Sequence, residues 1–80
     1  MAKTPSSAEP ISSERQHFAA QLVRLRVAKG LTQVQLSDLC GLTQPHLSAL
    51  ERGLWEPRLE TIVTLMRALG VSYDELLPPR

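Results

Sequence analysis

Cysteine and long apolar runs are both scarce in this chain of 80 residues. Its single cysteine excludes an internal disulfide framework, and Cys40, His17 and His46 lack the paired spacing of a zinc site. No uninterrupted apolar run approaches the length that crosses a bilayer, and the N-terminus has no apolar segment typical of a signal peptide. We therefore expect no cofactor, no metal, no membrane association and a location in a reducing cytoplasm or nucleoid.

A large excess of one charge is also missing, since nine Lys and Arg face eight Asp and Glu for a net charge of +1. The first 30 residues hold five cations and two acids, giving +3, and residues 31–80 hold four cations and six acids, giving −2. Strong binding to a polyanion would therefore need a shaped site and two-fold avidity. No glycine-rich phosphate loop and no paired nucleophile and base are present, so we expect no enzymatic activity.

The segment from 31 to 53 is the most informative, and it reads LTQVQLSDLCGLTQPHLSALERG. Thr32 and Gln35 have the spacing of a capping box, in which the side chain of each residue accepts from the backbone N–H of the other. Leu31 and Leu36 have the spacing of a hydrophobic staple around that cap. Gly41 is typical of the residue that ends a helix. These signals predict one short helix between residues 32 and 41.

A second helix start follows at once. Thr43 can cap it, and Pro45 fits only the first turn of a helix. The connection of about three residues predicts a helix-turn-helix whose second helix, Gln44 to Arg52, faces outward. Leu47 and Leu50 fall on its inner side at helical spacing. The opposite side is predicted to present Gln44, Pro45, Ser48 and Ala49.

Helical spacing of apolar residues predicts three further helices. The first begins at residue 12 or 13 and stops at Gly30. Another covers residues 59–69 and closes at Gly70, and a short last one follows a cap at Ser72. Residues 1–12 are predicted to form a flexible arm because they hold few apolar residues, and residues 13–78 are predicted to form the domain. The fold class is all-α, a compact five-helix bundle.

With these residues in place, the chain resembles the Cro and phage-repressor type of helix-turn-helix, also called the XRE family. The resemblance covers about Phe18 to Leu77. It rests on the segment quoted above, on Pro57 and Leu59 at the next helix start, and on the closing run ALGVSYDELL. It implies a lambda-repressor-like DNA-binding domain, usually dimeric, whose third helix enters the major groove of double-stranded DNA.

The resemblance also implies roles for individual residues. Gln44 lies where relatives place a glutamine that pairs with adenine through two hydrogen bonds, and Gln33 lies where relatives contact a phosphate and brace that glutamine. Pro45 and Ala49 replace polar readers, so their contacts would be apolar, for example with a thymine methyl group. Ser48 is expected at a base edge or a phosphate. Contacts to the DNA backbone, or orienting roles, are expected from Thr43, His46, Arg52 and Arg58.

Arg26, Glu51 and Cys40 each have a structural interpretation that competes with a functional one. Arg26 and Glu51 correspond in relatives to an internal ion pair between the first and third helices, and we favour that pair over a DNA contact by Arg26. Cys40 follows Leu36 and Leu39 at core spacing, which favours a small buried hydrophobic residue over a redox switch.

The loop after the third helix leaves several interpretations open. Trp55 could pack in the core, lie across a dimer interface or contact the sugar-phosphate backbone, and core packing is favoured. Leu54 beside it adds a second apolar residue to the loop, which indicates an interface. A homodimer surface is expected near these two residues and near Tyr73 and Leu77.

Together these features predict a sequence-specific double-stranded DNA-binding transcriptional regulator that acts as a homodimer on a palindromic operator. No small-molecule effector is expected, because 80 residues leave no room for a sensor domain. The alternative is an antitoxin-like protein-interaction module that neutralises a protein partner and autoregulates its operon. The low net charge and the apolar residues Pro45 and Ala49 favour that alternative.

Overall fold

The computed structural model describes residues 13–77, in which all regular secondary structure is helical and no strand is present. Five helices follow one another in the order α1 (Ser13–Ala28), α2 (Gln33–Cys40), α3 (Gln44–Glu51), α4 (Leu59–Leu69) and α5 (Tyr73–Leu76). The predicted all-α class and the five-helix architecture are confirmed. The predicted arm at residues 1–12 and the end of the domain at residue 78 lie outside the described residues.

The caps read from the sequence form in the structure. Thr32 Oγ1 accepts from the backbone N–H of Gln35 at 3.1 Å, and Gln35 Oε1 accepts from the backbone N–H of Thr32 at 2.9 Å. Gly41 ends α2 with a φ of +78°, a conformation that favours glycine. Thr43 caps α3 by accepting from the backbone N–H of His46 at 3.3 Å. Helix α3 ends at Glu51, one residue before the predicted end.

The core consists mainly of leucine side chains, with every helix contributing. The fully buried ones are Leu22, Leu36, Leu47, Leu50, Leu65 and Leu76. Helix α3 packs against both α1 and α2, α2 also packs against α4, and α5 packs against α1. Removing one such leucine side chain typically costs about 2–5 kcal/mol, so this core holds the outer face of α3 in a fixed position.

Helix α2 departs from the predicted core pattern at one residue. Leu36 is fully buried, but Leu39 is 60% exposed. Cys40, four residues after Leu36, packs against the core while remaining partly exposed. Cys40, at i+4 from Leu36, therefore takes the inward position. Leu39, at i+3, lies at the edge of the apolar face of α2.

Candidate nucleic-acid interface

The N-terminal half of α3 forms the exposed surface of the helix-turn-helix. Thr43, Gln44 and Pro45 are exposed, and His46 and Ser48 are partly exposed. Leu47 points into the core, so the helix turns these residues outward. Within residues 13–77 the side chain of Gln44 makes no hydrogen bond, which leaves both ends of its amide available to a base edge.

Ala49 does not belong to this exposed surface, and its predicted place on the reading face is wrong. It is only 8% exposed. Helix α3 packs on two neighbouring helices, so its covered side is wider than the stripe marked by Leu47 and Leu50. The chain also folds back after α3, with the backbone N–H of Leu54 donating to the Ala49 carbonyl at 3.0 Å.

A buried polar cluster lies behind the exposed face and joins three helices. Arg26 from α1 donates to Glu51 of α3 twice, from Nε to Oε2 at 2.6 Å and from Nη2 to Oε1 at 3.1 Å. Its third nitrogen, Nη1, donates to the Leu31 carbonyl at 2.7 Å, just before α2. The Glu51 side chain is 4% exposed and that of Arg26 is 14% exposed. The structure thus contains the internal ion pair that the resemblance implied.

Gln33 belongs to the same cluster. Its Nε2 donates to Glu51 Oε1 at 2.9 Å. The expected brace between Gln33 and Gln44 is absent from the described hydrogen bonds, in which the Gln33 amide contacts the carboxylate of Glu51. The first turn of α2 is therefore tied to the end of α3 and not to the beginning of α3.

Trp55 lies outside the core, contrary to the favoured prediction. It is 55% exposed, and its ring lies 5.0 Å from that of His46 at an angle of 52°. The chain turns at Gly53, with a φ of +71°, and carries the loop over the surface after α3. Sequence analysis did not foresee this aromatic contact, because no local pattern relates positions nine residues apart across a turn.

The loop and the start of α4 carry charges of both signs beside α3. A cavity of about 400 Å³ is lined by His46, Trp55, Glu56, Arg58, Glu60 and Thr61. Arg58 lies 3.6 Å from Glu60, and both side chains are largely exposed. Arg52 is also exposed and makes no ion pair with another residue in the range 13–77. Arg52 and Arg58 are thus accessible to a DNA backbone, while the two glutamates oppose a phosphate at the cavity.

The same residues contain neither a metal cluster nor a membrane-spanning helix. Between residues 13 and 77 there is no group of three or more His, Cys, Asp or Glu side chains that could hold a metal ion. None of the helices described is long and apolar enough to cross a membrane.

The comparison with known proteins agrees with this geometry. The sequence pattern of the helix-turn-helix family matches residues 22–76. The chain belongs to that family. It is 43% identical over 65 residues to an uncharacterised HTH-type transcriptional regulator of Sinorhizobium fredii, an alignment that covers 81% of this chain and 84% of that protein. Several other curated relatives are longer, and the chain spans 29% and 53% of two of them.

Solved structures extend the likeness to the fold of this helix-turn-helix regulator. The restriction-modification controller protein C.AhdI from Aeromonas hydrophila superimposes with a TM-score of 0.74 at 37% identity, covering 78% of this chain and 94% of that one. A hypothetical transcription factor from Neisseria superimposes with a TM-score of 0.77 at 36% identity, covering 96% and 90%. The chain is therefore an HTH-type transcriptional regulator of the XRE type, and its relatives named here are bacterial.

Proposed function

We propose that this regulator is a sequence-specific double-stranded DNA-binding protein that acts as a homodimer on a palindromic operator. In such a complex, the α3 helices of two subunits enter successive major grooves about 34 Å apart. The observation that carries the proposal is the exposed N-terminal half of α3, held on a buried three-helix cluster, with the Gln44 amide unpaired. Family membership supports the same conclusion.

Gln44 is the proposed base reader. Its amide can accept from adenine N6 and donate to N7, and each such pair contributes about 1–3 kcal/mol of discrimination. Pro45 offers an apolar surface to a thymine methyl group, and Ser48 offers a hydroxyl at the groove. Ala49 is only 8% exposed and contributes no apolar contact, and neither it nor Pro45 can form a side-chain hydrogen bond, so readout depends on Gln44 and Ser48.

The residues around α3 are proposed to contact the DNA backbone and to fix the register of the helix. Gln33 lies at the start of α2, and Thr43 and His46 lie at the start of α3. Arg52 and Arg58 flank α3 and are exposed. Such contacts position a protein on DNA without reading its sequence.

Exposed apolar side chains among the described residues support the proposed homodimer. Leu54, Trp55 and Tyr73 are all at least 40% exposed. A domain of this size buries a modest core, so association that covers such residues would add stability. Operator occupancy would then block or recruit polymerase in the cytoplasm. The likeness to a restriction-modification controller protein supports a regulatory role in general.

The test is in vitro selection of binding sites from a randomised duplex library with wild type, Gln44→Ala and the control Gln16→Ala. Gln16 is exposed on α1 and makes no hydrogen bond within residues 13–77. Wild type and control should enrich the same palindrome, and Gln44→Ala should lose its preference at one base pair in each half-site. Selection of no sequence by the wild type at moderate salt would contradict the proposal.

That negative result would favour the antitoxin-like alternative, in which the fold chiefly serves to bind a partner protein. The observation on its side is the reading face itself. Pro45 and Ala49 have no polar side-chain atom, so α3 has little hydrogen-bonding capacity for bases. Copurification with one small protein of defined stoichiometry, together with failed selection, would establish the alternative.

A further inference from the structure

We infer that Glu51 is a positioning residue for DNA binding, which acts by turning the amide of Gln33 so that one N–H faces a phosphate of the duplex. The inference rests on the proposed function and adds to it a residue that is itself buried away from DNA. The evidence is the hydrogen bond from Gln33 Nε2 to Glu51 Oε1, at 2.9 Å.

The carboxylate of Glu51 is held in place by Arg26, independently of its contact with Gln33. Arg26 donates to both of its oxygens, at 2.6 and 3.1 Å, and the pair is largely buried. A paired guanidinium and carboxylate in this geometry have little rotational freedom. Glu51 Oε1 is thus a stationary acceptor between α1 and α2.

That acceptor determines which way the Gln33 amide turns. A carboxylate carries no hydrogen, so it can receive only the NH₂ end of the amide. This bond uses one of the two Nε2 hydrogens and leaves the second N–H of Gln33 unused. A phosphodiester oxygen also only accepts, so the remaining N–H is the group that suits it.

The backbone of α2 is set by the same pair. Arg26 Nη1 donates to the Leu31 carbonyl at 2.7 Å, two residues before Gln33. The Arg26–Glu51 pair therefore fixes both the place of the first turn of α2 and the orientation of the amide on it. Because Glu51 is the last residue of α3, the phosphate contact is held in register with Gln44 on the same helix.

The inference is tested by measuring DNA affinity in two backgrounds. Glu51→Gln is nearly isosteric, but its amide can present either a donor or an acceptor to Gln33, so the preferred turn of Gln33 is lost. Gln33→Met keeps the length of the side chain and removes both donors. Affinity of wild type, each single variant and the double variant is measured on a selected operator duplex, with the folded fraction of each protein determined by circular dichroism.

Loss of a hydrogen bond to a charged group predicts that Gln33→Met weakens binding roughly tenfold. We expect Glu51→Gln to weaken binding of the folded protein by a similar factor in the wild-type background. In the Gln33→Met background, the same substitution should change affinity by less than about twofold, because the residue it acts through is already gone. An equal loss in both backgrounds would show that Glu51 serves the fold alone, and would overturn the inference.

A second measurement stands even if Glu51→Gln does not fold. In wild type, the side-chain amide protons of Gln33 are observed by ¹H–¹⁵N NMR and assigned by their disappearance in Gln33→Met. One of the two should exchange slowly in the free protein, and the other should shift when duplex is added. Two protons that both exchange as fast as those of exposed Gln16, or that both stay unshifted by bound duplex, would contradict the inference.

The outcomes separate this inference from the function it rests on. If the wild type binds no duplex, the proposed function fails and the inference fails with it. If the wild type binds its operator while Gln33→Met binds equally well, the function stands and only the role of the Glu51–Gln33 contact is wrong.

Discussion

The helix-turn-helix and the loop that follows it are each linked to α1 by an arginine–glutamate pair, and the two pairs differ in distance and in burial. Arg26 reaches Glu51 at 2.6 Å inside the protein. Arg15 lies 3.8 Å from Glu56, whose side chain is 79% exposed. Breaking a buried pair typically costs about 3–5 kcal/mol, whereas an exposed pair contributes about 0–1 kcal/mol. The comparison indicates a fixed α2–α3 unit followed by a loop held by much weaker contacts.

The apolar residues of α3 and of the loop differ in burial in the same way as the two ion pairs. Leu47 and Leu50 on α3 are fully buried, while Leu54 and Trp55 in the loop are largely exposed. The buried leucines hold α3 in place, and the loop residues leave apolar surface exposed, which we propose as a contact surface for a second subunit. Stability should therefore depend on the helix-turn-helix far more than on the loop.

The largest expected effect comes from Glu51→Ala, which leaves Arg26 charged and unpaired inside the protein. We expect a loss of about 3–5 kcal/mol in the free energy of unfolding, measured by chemical denaturation. The matched control is Glu60→Ala, which removes an exposed partner of Arg58 and should change stability by less than about 0.5 kcal/mol. An unchanged free energy of unfolding for Glu51→Ala would contradict the comparison.

Leu47→Ala should come next. Its side chain is fully buried, so truncation removes apolar contacts and leaves a cavity, with an expected cost of about 2–5 kcal/mol. Leu54→Ala is the loop counterpart and should cost less than about 1 kcal/mol in dilute protein. Thermal unfolding of the two variants at the same concentration measures the difference, and similar losses would refute the assignment of Leu54 to the surface.

A smaller effect is expected at the cap of α2. Thr32→Ala removes the acceptor for the Gln35 backbone N–H and should cost about 1 kcal/mol. Thr32→Ser keeps a hydroxyl oxygen at the same place and should recover most of the loss. Denaturant midpoints measure both variants, and an equal loss in the serine variant would indicate that the methyl group, not the cap, carries the effect.

The smallest effect on the folded subunit is expected from Trp55→Ala. The indole contacts His46 and is mostly exposed, so stability should fall by less than about 1 kcal/mol in protein too dilute to associate. Sedimentation at rising concentration then sharpens the interpretation, because a weakened self-association would place Trp55 in the dimer surface. A loss as large as that of Leu47→Ala would mean that the indole supports the core after all.

The parts of this fold that the sequence predicts are those set by neighbours in the chain. The capping box at Thr32 and the turn at Gly41 depend on residues within one helical turn, so their spacing is sufficient evidence. Ala49 and Trp55 were misplaced because their burial depends on how far α1, α2 and the loop extend over α3. The partner of Gln33 could not be predicted either, because Glu51 is 18 residues away and no local spacing relates the two positions.

The central claim is that Gln44 reads adenine from the exposed face of α3, and one affinity cycle tests it most directly. Wild type and Gln44→Ala are each titrated with the selected operator and with the same operator carrying 7-deazaadenine, which lacks the N7 acceptor, at the position Gln44 is proposed to read. We predict that the modified base weakens wild type roughly tenfold and leaves Gln44→Ala unchanged within about twofold. Equal weakening of both proteins would contradict the claim, because another residue would then be reading that base.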